Sequence, residues 1–393
     1  MIDRYEVKVI KNIWDEINKI NIWLNLELSY VNSLYRFKDR LELDAFIPDD
    51  LKCINNSLSV SLTKQDLEEI QKIELSTNHD FVAFLKHIED KVPNKSGRWL
   101  HYGLTSSDII DTTNSIRCVN SLLYTRNSIT QVITTLLERI KHEDSQTQIL
   151  SRTHGQAAEI QKVSDIFERW LSFARRAFDN VTLAEKHLRI GKLSGPSGNY
   201  VHTTKEIERD ALSYFNLSPF KHASQIISRD VYLDYFYEML KTALFIEKVA
   251  YDIRLYSQSE IKEICEGFAE NQKGSSAMPH KKNPILCENL TGLSRMVKGY
   301  VMTAIDNCET QWERDISHSS SERIIFEDCA HLVNYGLHRL NHVLNNLVIN
   351  KDNCKNNIDK NRNKLESQNI LNEYISKGYS RFDSHTKAQE KAR

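Results

Sequence analysis

The stretch Val231–Tyr256, VYLDYFYEMLKTALFIEKVAYDIRLY, decides the fold of this chain. Apolar side chains recur in it at steps of three and four residues, the spacing that puts them on one face of an α-helix. They are Leu233, Phe236, Tyr237, Leu240, Ala243, Leu244, Ala250 and Ile253. The opposite face is charged and carries Glu238, Lys241, Lys248 and Asp252. The pattern predicts one long amphipathic helix.

Glycine and proline, which interrupt helices, are scarce on both sides of this stretch. Neither residue occurs inside the intervals 103–155, 155–191, 219–267, 299–336 and 336–378. Such intervals are too long for strands and suit long helices. Similar apolar stripes run through Ile116–Ile140 and Ser164–Leu188. We therefore expect an all-α fold built around a long central helical bundle.

The residues that break helices cluster in three places, Pro93–Gly103, Gly191–Gly198 and Gly267–Pro284. Loops that join long helices carry function more often than the helices do. The first cluster also marks the end of an N-terminal unit. A second boundary is expected near Asn350–Asn361, where Asn and Lys crowd together. We predict three helical domains, 1–106, 107–353 (the long bundle) and 354–393.

The composition is that of a globular protein with balanced charge. The 393 residues carry 52 Lys and Arg against 53 Asp and Glu, a formal net charge of −1. This balance argues against the broad positive field of a sequence-independent nucleic-acid binder, and no apolar run reaches membrane-spanning length. Seven cysteines are scattered without a CxxC pair, which is typical of reduced thiols in the cytoplasm. We expect a cytoplasmic protein that binds neither nucleic acid nor membrane.

The strongest local signal is Gly274-Ser275-Ser276-Ala277-Met278-Pro279-His280-Lys281-Lys282-Asn283-Pro284, which we call the signature loop. The loop begins at a glycine, which can act as a hinge, and it carries two adjacent serine hydroxyls and two lysines. Pro284 suits the first turn of a helix, and the N-terminus of that helix would favour a bound carboxylate. The plain alternative is a polar surface linker.

These eleven residues resemble the signature of the fumarase/aspartase superfamily, in the form found in its adenylosuccinate lyase branch. Four further blocks resemble that branch in the same order along the chain: Arg4-Tyr5, His101–Asp108, Ser151–Gln156 and Trp312–Arg323. The resemblance covers essentially the whole chain. Argininosuccinate lyase or another superfamily member is the alternative enzyme, and a catalytically idle binding protein on the same scaffold is the alternative of another class.

The resemblance implies a C–N lyase that needs no cofactor and no metal. Members of this branch release fumarate from adenylosuccinate, leaving AMP, and from the succinylated ribotide SAICAR, leaving AICAR, in purine biosynthesis. The reaction removes a proton beside a carboxylate and expels a nitrogen, so it needs a base, an anion sink and an acid. The resemblance also implies a homotetramer with a twenty-helix core, in which three subunits contribute to each site.

The same resemblance assigns roles to individual side chains. Ser275 is the implied base and His154 the implied acid, and His79, Lys281 and Glu288 complete the catalytic set. The implied substrate-binding residues are Arg4, Tyr5, Asn78, Asp80, His101, Thr105, Ser106, Gln225, Ser276, Lys282, Asn283, Asn289, Arg314, Ser319 and Arg323.

Each of these residues also has a plainer interpretation. Ser275 could cap its loop, and His154, His79 and His101 could be structural histidines. Glu288 could be an ordinary acid in the first turn of a helix rather than a partner that raises a histidine's pKa. Arg314 and Arg323 could belong to a solvated face.

The chain departs from the family pattern in three respects. Ile160 stands where the family usually has a proline, and Asn78 stands where many relatives have an arginine before His-Asp. Family members also usually continue for several helices beyond the point where this sequence ends, so the resemblance implies a shortened C-terminal domain.

Overall fold

A computed structural model of the chain describes residues 1–269 and 273–392, and within these ranges most residues lie in helices. The α-helices are α1 Lys8–Trp14, α2 Glu16–Arg36, α3 Pro48–Ser57, α4 Lys64–Thr77, α5 Asp80–Asp90, α6 Ser106–Lys141, α7 Val163–His187, α8 Lys205–Ser213, α9 Asp230–Tyr256, α10 Ile285–Asp306, α11 Ser317–Asn345, α12 Lys351–Lys360, α13 Arg362–Leu365, α14 Ser367–Ser376 and α15 Arg381–Ala392. The strands are β1 Gln148–Thr153, β2 Gln156–Lys162, β3 Ile190–Gly191, β4 Ser218–Pro219, β5 Ile264–Cys265 and β6 Val348–Ile349. The all-α prediction is confirmed.

Five helices have 22 residues or more, and apolar stripes in the sequence anticipate three of them. Helices α6, α7, α9, α10 and α11 have 36, 25, 27, 22 and 29 residues. Helix α9 occupies the stretch chosen from its apolar spacing, α6 contains the stripe Ile116–Ile140, and α7 contains all but the last residue of the stripe Ser164–Leu188. The absence of breakers therefore indicated α6, α7 and α9, whereas α10 and α11 form although Gly292, Gly299 and Gly336 lie within them.

The chain divides into two compact units. Unit 1 comprises Met1–Asn127, Asp179–Lys241 and Met296–Tyr335, and unit 2 comprises Ser128–Phe178, Thr242–Arg295 and Gly336–Arg393. Each of the five long helices contributes residues to both units. The domain boundaries placed at 106/107 and 353/354 stay a prediction.

Aromatic packing organises the core of unit 1. Phe326 of α11 stacks on Trp14 at 5.7 Å between ring centroids and meets Phe236 of α9 at 4.9 Å. The Tyr235 hydroxyl donates to the Phe326 carbonyl at 3.0 Å. In the same unit, Trp23 lies edge-on to Phe81 at 5.0 Å. Because aromatic rings bury large areas, these contacts fix how α2, α5, α9 and α11 pack within the unit.

In unit 2 the long helices approach closely at a glycine. A Cβ added to Gly336 of α11 would lie 3.1 Å from Cδ1 of Ile246 on α9, tighter than an ordinary contact. The Trp170 indole of α7 donates to Asp252 of α9 at 2.9 Å. The missing side chain at Gly336 thus allows α11 to pack against α9.

The strands are short, but one pair was not anticipated. β1 and β2 form an antiparallel hairpin, while β3 pairs with β4 in parallel and β5 pairs with β6 antiparallel, each over two residues. The hairpin lies inside intervals that the lack of breakers assigned to helix. Every helix in the described part of the chain is too short or too polar to cross a lipid bilayer.

Candidate active site

The implied acid, His154, lies at the tip of the β1–β2 hairpin. Thr153 pairs with Gln156 across a two-residue turn, and both turn residues are left-handed, with φ 54° at His154 and 75° at Gly155. Short hairpins favour such turns because their twist matches that of the strands. The imidazole is exposed, so the hairpin presents His154 at its end.

Side chains on either side of this turn brace the hairpin. The Ser151 hydroxyl donates to the Glu159 carbonyl at 2.9 Å and accepts the Glu159 N–H at 3.0 Å. Arg152 donates to both carboxylate oxygens of Glu263 at 2.7 and 2.8 Å, and these hydrogen bonds raise the pKa of Arg152. Ile160 pairs with Leu150 in the ladder. The departure from proline at Ile160 therefore falls within a strand and outside the turn.

The implied base, Ser275, is half-buried in the signature loop and accepts two backbone hydrogen bonds. The N–H groups of Ala277 and Met278 point at its Oγ from 3.3 and 3.1 Å. The amide of Asn283 donates to the Gly274 carbonyl at 3.0 Å and joins the two ends of the loop. The loop therefore folds back on itself around the Ser275 hydroxyl.

Gly274 is required for that closure. A Cβ at Gly274 would lie 2.1 Å from the carbonyl oxygen of Lys281, which is backbone and cannot simply rotate away. We expect Gly274→Ala to lower kcat by about 100-fold, because displacement of a catalytic group by roughly 1 Å has effects of this size. Steady-state fumarate release measures it. Gly292→Ala is the control, since a Cβ there meets no described atom within 4 Å; equal kcat for the two variants would contradict the prediction.

A cavity of about 840 Å³ in unit 2 adjoins the C-terminal half of the signature loop. Lys281, Lys282, Asn283 and Glu288 line it, and Arg254 of α9 faces it as well. The Lys282 ammonium lies 5.6 Å from the centre of the Phe268 ring. Ser276 is exposed, and Asn289 is half-buried on α10. The cavity is rich in cations, which suits a substrate that carries carboxylates.

The N-terminus of α10 is already occupied by a protein carboxylate. Glu266, which is buried, accepts the N–H groups of Leu286 and Cys287 at 3.2 and 2.6 Å. The next N–H, that of Glu288, donates to the Pro284 carbonyl at 3.0 Å. The helix N-terminus was predicted to hold a substrate carboxylate, but Glu266 takes that position. Glu288 itself is exposed in the first turn of α10.

Several implied substrate-binding residues meet in unit 1. A cavity of about 290 Å³ is lined by Asp80, Arg314, Ser319 and Arg323. Arg323 donates to Asp80 at 3.0 Å. Arg314 donates to the amide oxygen of Gln225 at 3.2 Å. The sequence places these residues up to 243 positions apart, and the fold brings them together.

Buried ionisable residues that sequence reasoning missed border the same cavity. Arg229 forms two hydrogen bonds to Asp111, both 2.8 Å, and another to Glu322 at 3.1 Å. Burial raises the pKa of Glu322 to about 7, although the charge of Arg229 opposes the shift. Burial, helped by Arg229, lowers the pKa of His318 to about 4, so that imidazole is neutral at pH 7. His318 and Glu322 lie in the Trp312–Arg323 block that the sequence singled out, but neither was assigned a role.

Four further implied site residues lie at the N-terminus and at the α4–α5 junction. The Tyr5 ring lies 5.1 Å from that of Tyr335, and Arg4 is exposed. Asn78 ends α4 with φ 50°, a left-handed conformation that asparagine tolerates better than arginine. His79 caps α5 by accepting the Val82 N–H at 3.4 Å. The plainer, structural interpretation of His79 therefore has a contact to support it.

The block from His101 to Asp108 is tied down by buried acids. The fully buried carboxylate of Glu27 accepts the His101 backbone N–H at 2.8 Å and pairs with His101 Nδ1 at 2.7 Å. Asp108 accepts the Thr105 N–H at 2.8 Å and pairs with the buried Lys192 ammonium. Ser106 begins α6 directly after Thr105. These acids fix the backbone around all three implied substrate-binding residues.

One group in the described part of the chain has ligand atoms spaced for a metal ion: Asp66, Glu69 and His87, within 4.8 Å of one another. These atoms already have partners. Lys91 lies 2.7 Å from Asp66 and His87 Nε2 lies 3.0 Å from it, while Asp66 also closes the capping box with Thr63. An ammonium at the ligand oxygen disfavours a cation, so the group ties α4 to α5.

Comparison with known proteins agrees with the architecture and the motifs. A family model described as Lyase matches residues 36–299. The adenylosuccinate lyase of Thermotoga maritima is 37% identical over 395 residues, covering 100% of this chain and 88% of the relative. The adenylosuccinate lyase of Staphylococcus saprophyticus is 34% identical, again covering 100% of this chain and 88% of the relative.

Solved structures share the fold at lower sequence identity. The fumarate lyase from Mesorhizobium sp. BNC1 superposes with a TM-score of 0.85 at 17% identity, covering 100% of this chain and 88% of that chain. The β-carboxy-cis,cis-muconate cycloisomerase from Acinetobacter calcoaceticus gives a TM-score of 0.82 at 17% identity, covering 98% and 85%. At 17% sequence identity, this similarity shows a shared fold and nothing about function.

Proposed function

The chain belongs to the adenylosuccinate lyase family, and from this premise we propose that it releases fumarate from adenylosuccinate by β-elimination, with Ser275 as base and His154 as acid. The base removes a proton from the carbon beside a carboxylate of the succinyl group. The C–N bond then breaks, fumarate forms, and the departing nitrogen of AMP takes a proton from the acid.

The observation that carries this proposal is that two backbone N–H groups donate to the Ser275 hydroxyl oxygen. A serine hydroxyl is a poor base unless its alkoxide is stabilised. The amides of Ala277 and Met278 converge on the oxygen that would bear the negative charge. Fixed backbone dipoles of this kind stabilise an oxyanion without reorganising during the reaction. Lys281, near the end of the same loop, adds positive charge.

His154 suits the acid because the ordinary pKa of histidine lies nearest neutrality among the side chains. Its exposure at a hairpin tip leaves the imidazole accessible to a bound ligand. Glu288 remains either a carboxylate partner for a histidine or a plain first-turn acid. His79 and Lys281 complete the catalytic set that we propose.

The cavity in unit 1 supports binding of the nucleotide end of the substrate. Arg314 and Arg323 line it together with the Ser319 hydroxyl. The planar guanidinium forks of the arginines match phosphate oxygens, and the serine adds a hydroxyl donor. We assign Arg4, Tyr5 and Gln225 to the same end, and Thr105, Ser106 and Asn283 to the substrate carboxylates.

We further propose a homotetramer whose subunits share active sites, and SAICAR as a second substrate. Large apolar side chains stay exposed on the described protomer along α9 and α10, namely Tyr251, Leu255, Met296 and Met302. Helices that leave apolar side chains in water commonly bury them against another copy.

Turnover with purified protein tests the function. Fumarate should appear with adenylosuccinate and with SAICAR, and not with argininosuccinate. A folded protein that binds adenylosuccinate without releasing fumarate would be the idle scaffold instead. Release from argininosuccinate in preference to adenylosuccinate would move the chain to another branch.

A further inference from the structure

Glu263 is a buried carboxylate held by three side-chain donors. Its side chain has 0% exposure, against 20% for Arg152. Arg152 Nη1 and Nη2 each donate to one of its oxygens, at 2.7 and 2.8 Å, and Asn357 Nδ2 donates at 2.8 Å. A buried charge without its partner is strongly unfavourable, so the Arg152–Glu263 contact persists as long as this region is folded.

The backbone at Glu263 is also fixed. Its N–H donates to the Tyr256 carbonyl at 3.0 Å, and its carbonyl accepts the Asn350 N–H at 2.9 Å. The two residues that follow form β5, which pairs with β6. Glu263 is therefore anchored independently of Arg152, and Arg152 takes its position from Glu263.

The same short segment holds the start of α10. Glu266, three residues after Glu263, accepts the N–H groups of Leu286 and Cys287, directly after the signature loop ends at Pro284. The segment 263–266 thus contacts the hairpin that carries His154 and the helix that follows Ser275. All of these contacts lie within unit 2.

We propose that Glu263 is a positioning residue for His154, acting through Arg152; the proposal rests on the proposed function, in which His154 is the acid. Arg152 lies two residues before His154 on β1. A bidentate contact fixes both the location and the rotation of a guanidinium, and with it the end of the strand. The contact holds the hairpin tip in register with the segment that caps α10.

Glu263→Gln tests this role because it keeps the shape and removes the charge. With adenylosuccinate we expect kcat to fall by about 10- to 100-fold, because misplacing a catalytic group lowers the rate by about this factor. KM should stay within about threefold of wild type. The comparison substrate is not SAICAR but an N-succinyl amine whose departing nitrogen is weakly basic, so that it leaves with the electron pair of the C–N bond as an anion and takes its proton from water afterwards. With this comparison substrate, the loss of kcat should shrink to about threefold or less in both Glu263→Gln and His154→Asn.

Glu266→Gln is the matched control. It removes a buried carboxylate three residues away, which caps α10 but does not contact the hairpin. Its loss of kcat should be equal with both substrates, because it does not act through the acid.

An undiminished loss in Glu263→Gln on the weakly basic substrate would overturn the proposal and leave Glu263 a structural residue. Should Glu263→Gln fail to fold, Arg152→Lys keeps the charge without the fork and should show the same dependence on the leaving group. A wild-type protein that releases no fumarate would instead refute the proposed function itself.

Discussion

Replacing Ser275 with alanine should lower kcat for fumarate release by about 10³-fold, while the Kd for adenylosuccinate stays within about threefold of wild type. The substitution removes only the oxygen on which the Ala277 and Met278 amides converge. Among the described residues no other hydroxyl accepts that pair of N–H groups, so the proton on the succinyl carbon loses its proposed acceptor. Fumarate absorbance measures kcat, and calorimetry measures binding of the intact substrate.

Ser59→Ala is the control for that variant. Its hydroxyl is exposed and donates to the Asn56 carbonyl at 3.1 Å, so its removal should leave both constants unchanged. A Ser275→Ala protein that keeps kcat within about tenfold of wild type would show that another group removes the proton.

His154→Asn should lower kcat by about 10²- to 10⁴-fold, the range expected when a general acid is removed. Asparagine is chosen because it tolerates the left-handed backbone that His154 adopts, and Asn-Gly is a favoured pair for such a turn. The hairpin should therefore keep its shape, and the melting temperature should not fall. Turnover and thermal unfolding of the same preparation separate chemistry from folding.

Mixing the Ser275→Ala and His154→Asn variants then tests whether residues from different subunits form one active site. If Ser275 and His154 of one site come from different subunits, hybrids of Ser275→Ala and His154→Asn contain some sites with both groups intact. Activity should return after the subunits are exchanged. Hybrids that stay inactive although exchange is complete would mean that each subunit supplies both groups itself.

Helix content was predictable because it depends on local spacing. The stripe in Val231–Tyr256 and the lack of breakers around Ile116–Ile140 each specify a helix without reference to the rest of the chain. The β1–β2 hairpin was missed because its strands are short and His154-Gly155 was treated only as a family motif. Two turn-forming positions between Thr153 and Gln156 were the available signal.

The chemistry-bearing loop was predictable from its motif, but its environment was not. Contacts between Glu27 and His101 or between Arg229 and Asp111 join residues 74 and 118 positions apart, and no local pattern indicates them. The contact of Glu266 with the N-terminus of α10 was missed for the same reason, since Glu266 lies 20 positions before Leu286. Buried ion pairs form only when the packing of distant elements is fixed.

The two amides that converge on Ser275 belong to its own loop, so the activation of the base is encoded in four consecutive residues. The cavity with Arg314 and Arg323 is encoded elsewhere in the chain and in the other compact unit. The residues proposed to bind the nucleotide end can therefore change in evolution while the turn around Ser275 stays the same. Such modularity lets one ancestral scaffold diversify in substrate while conserving its elimination chemistry.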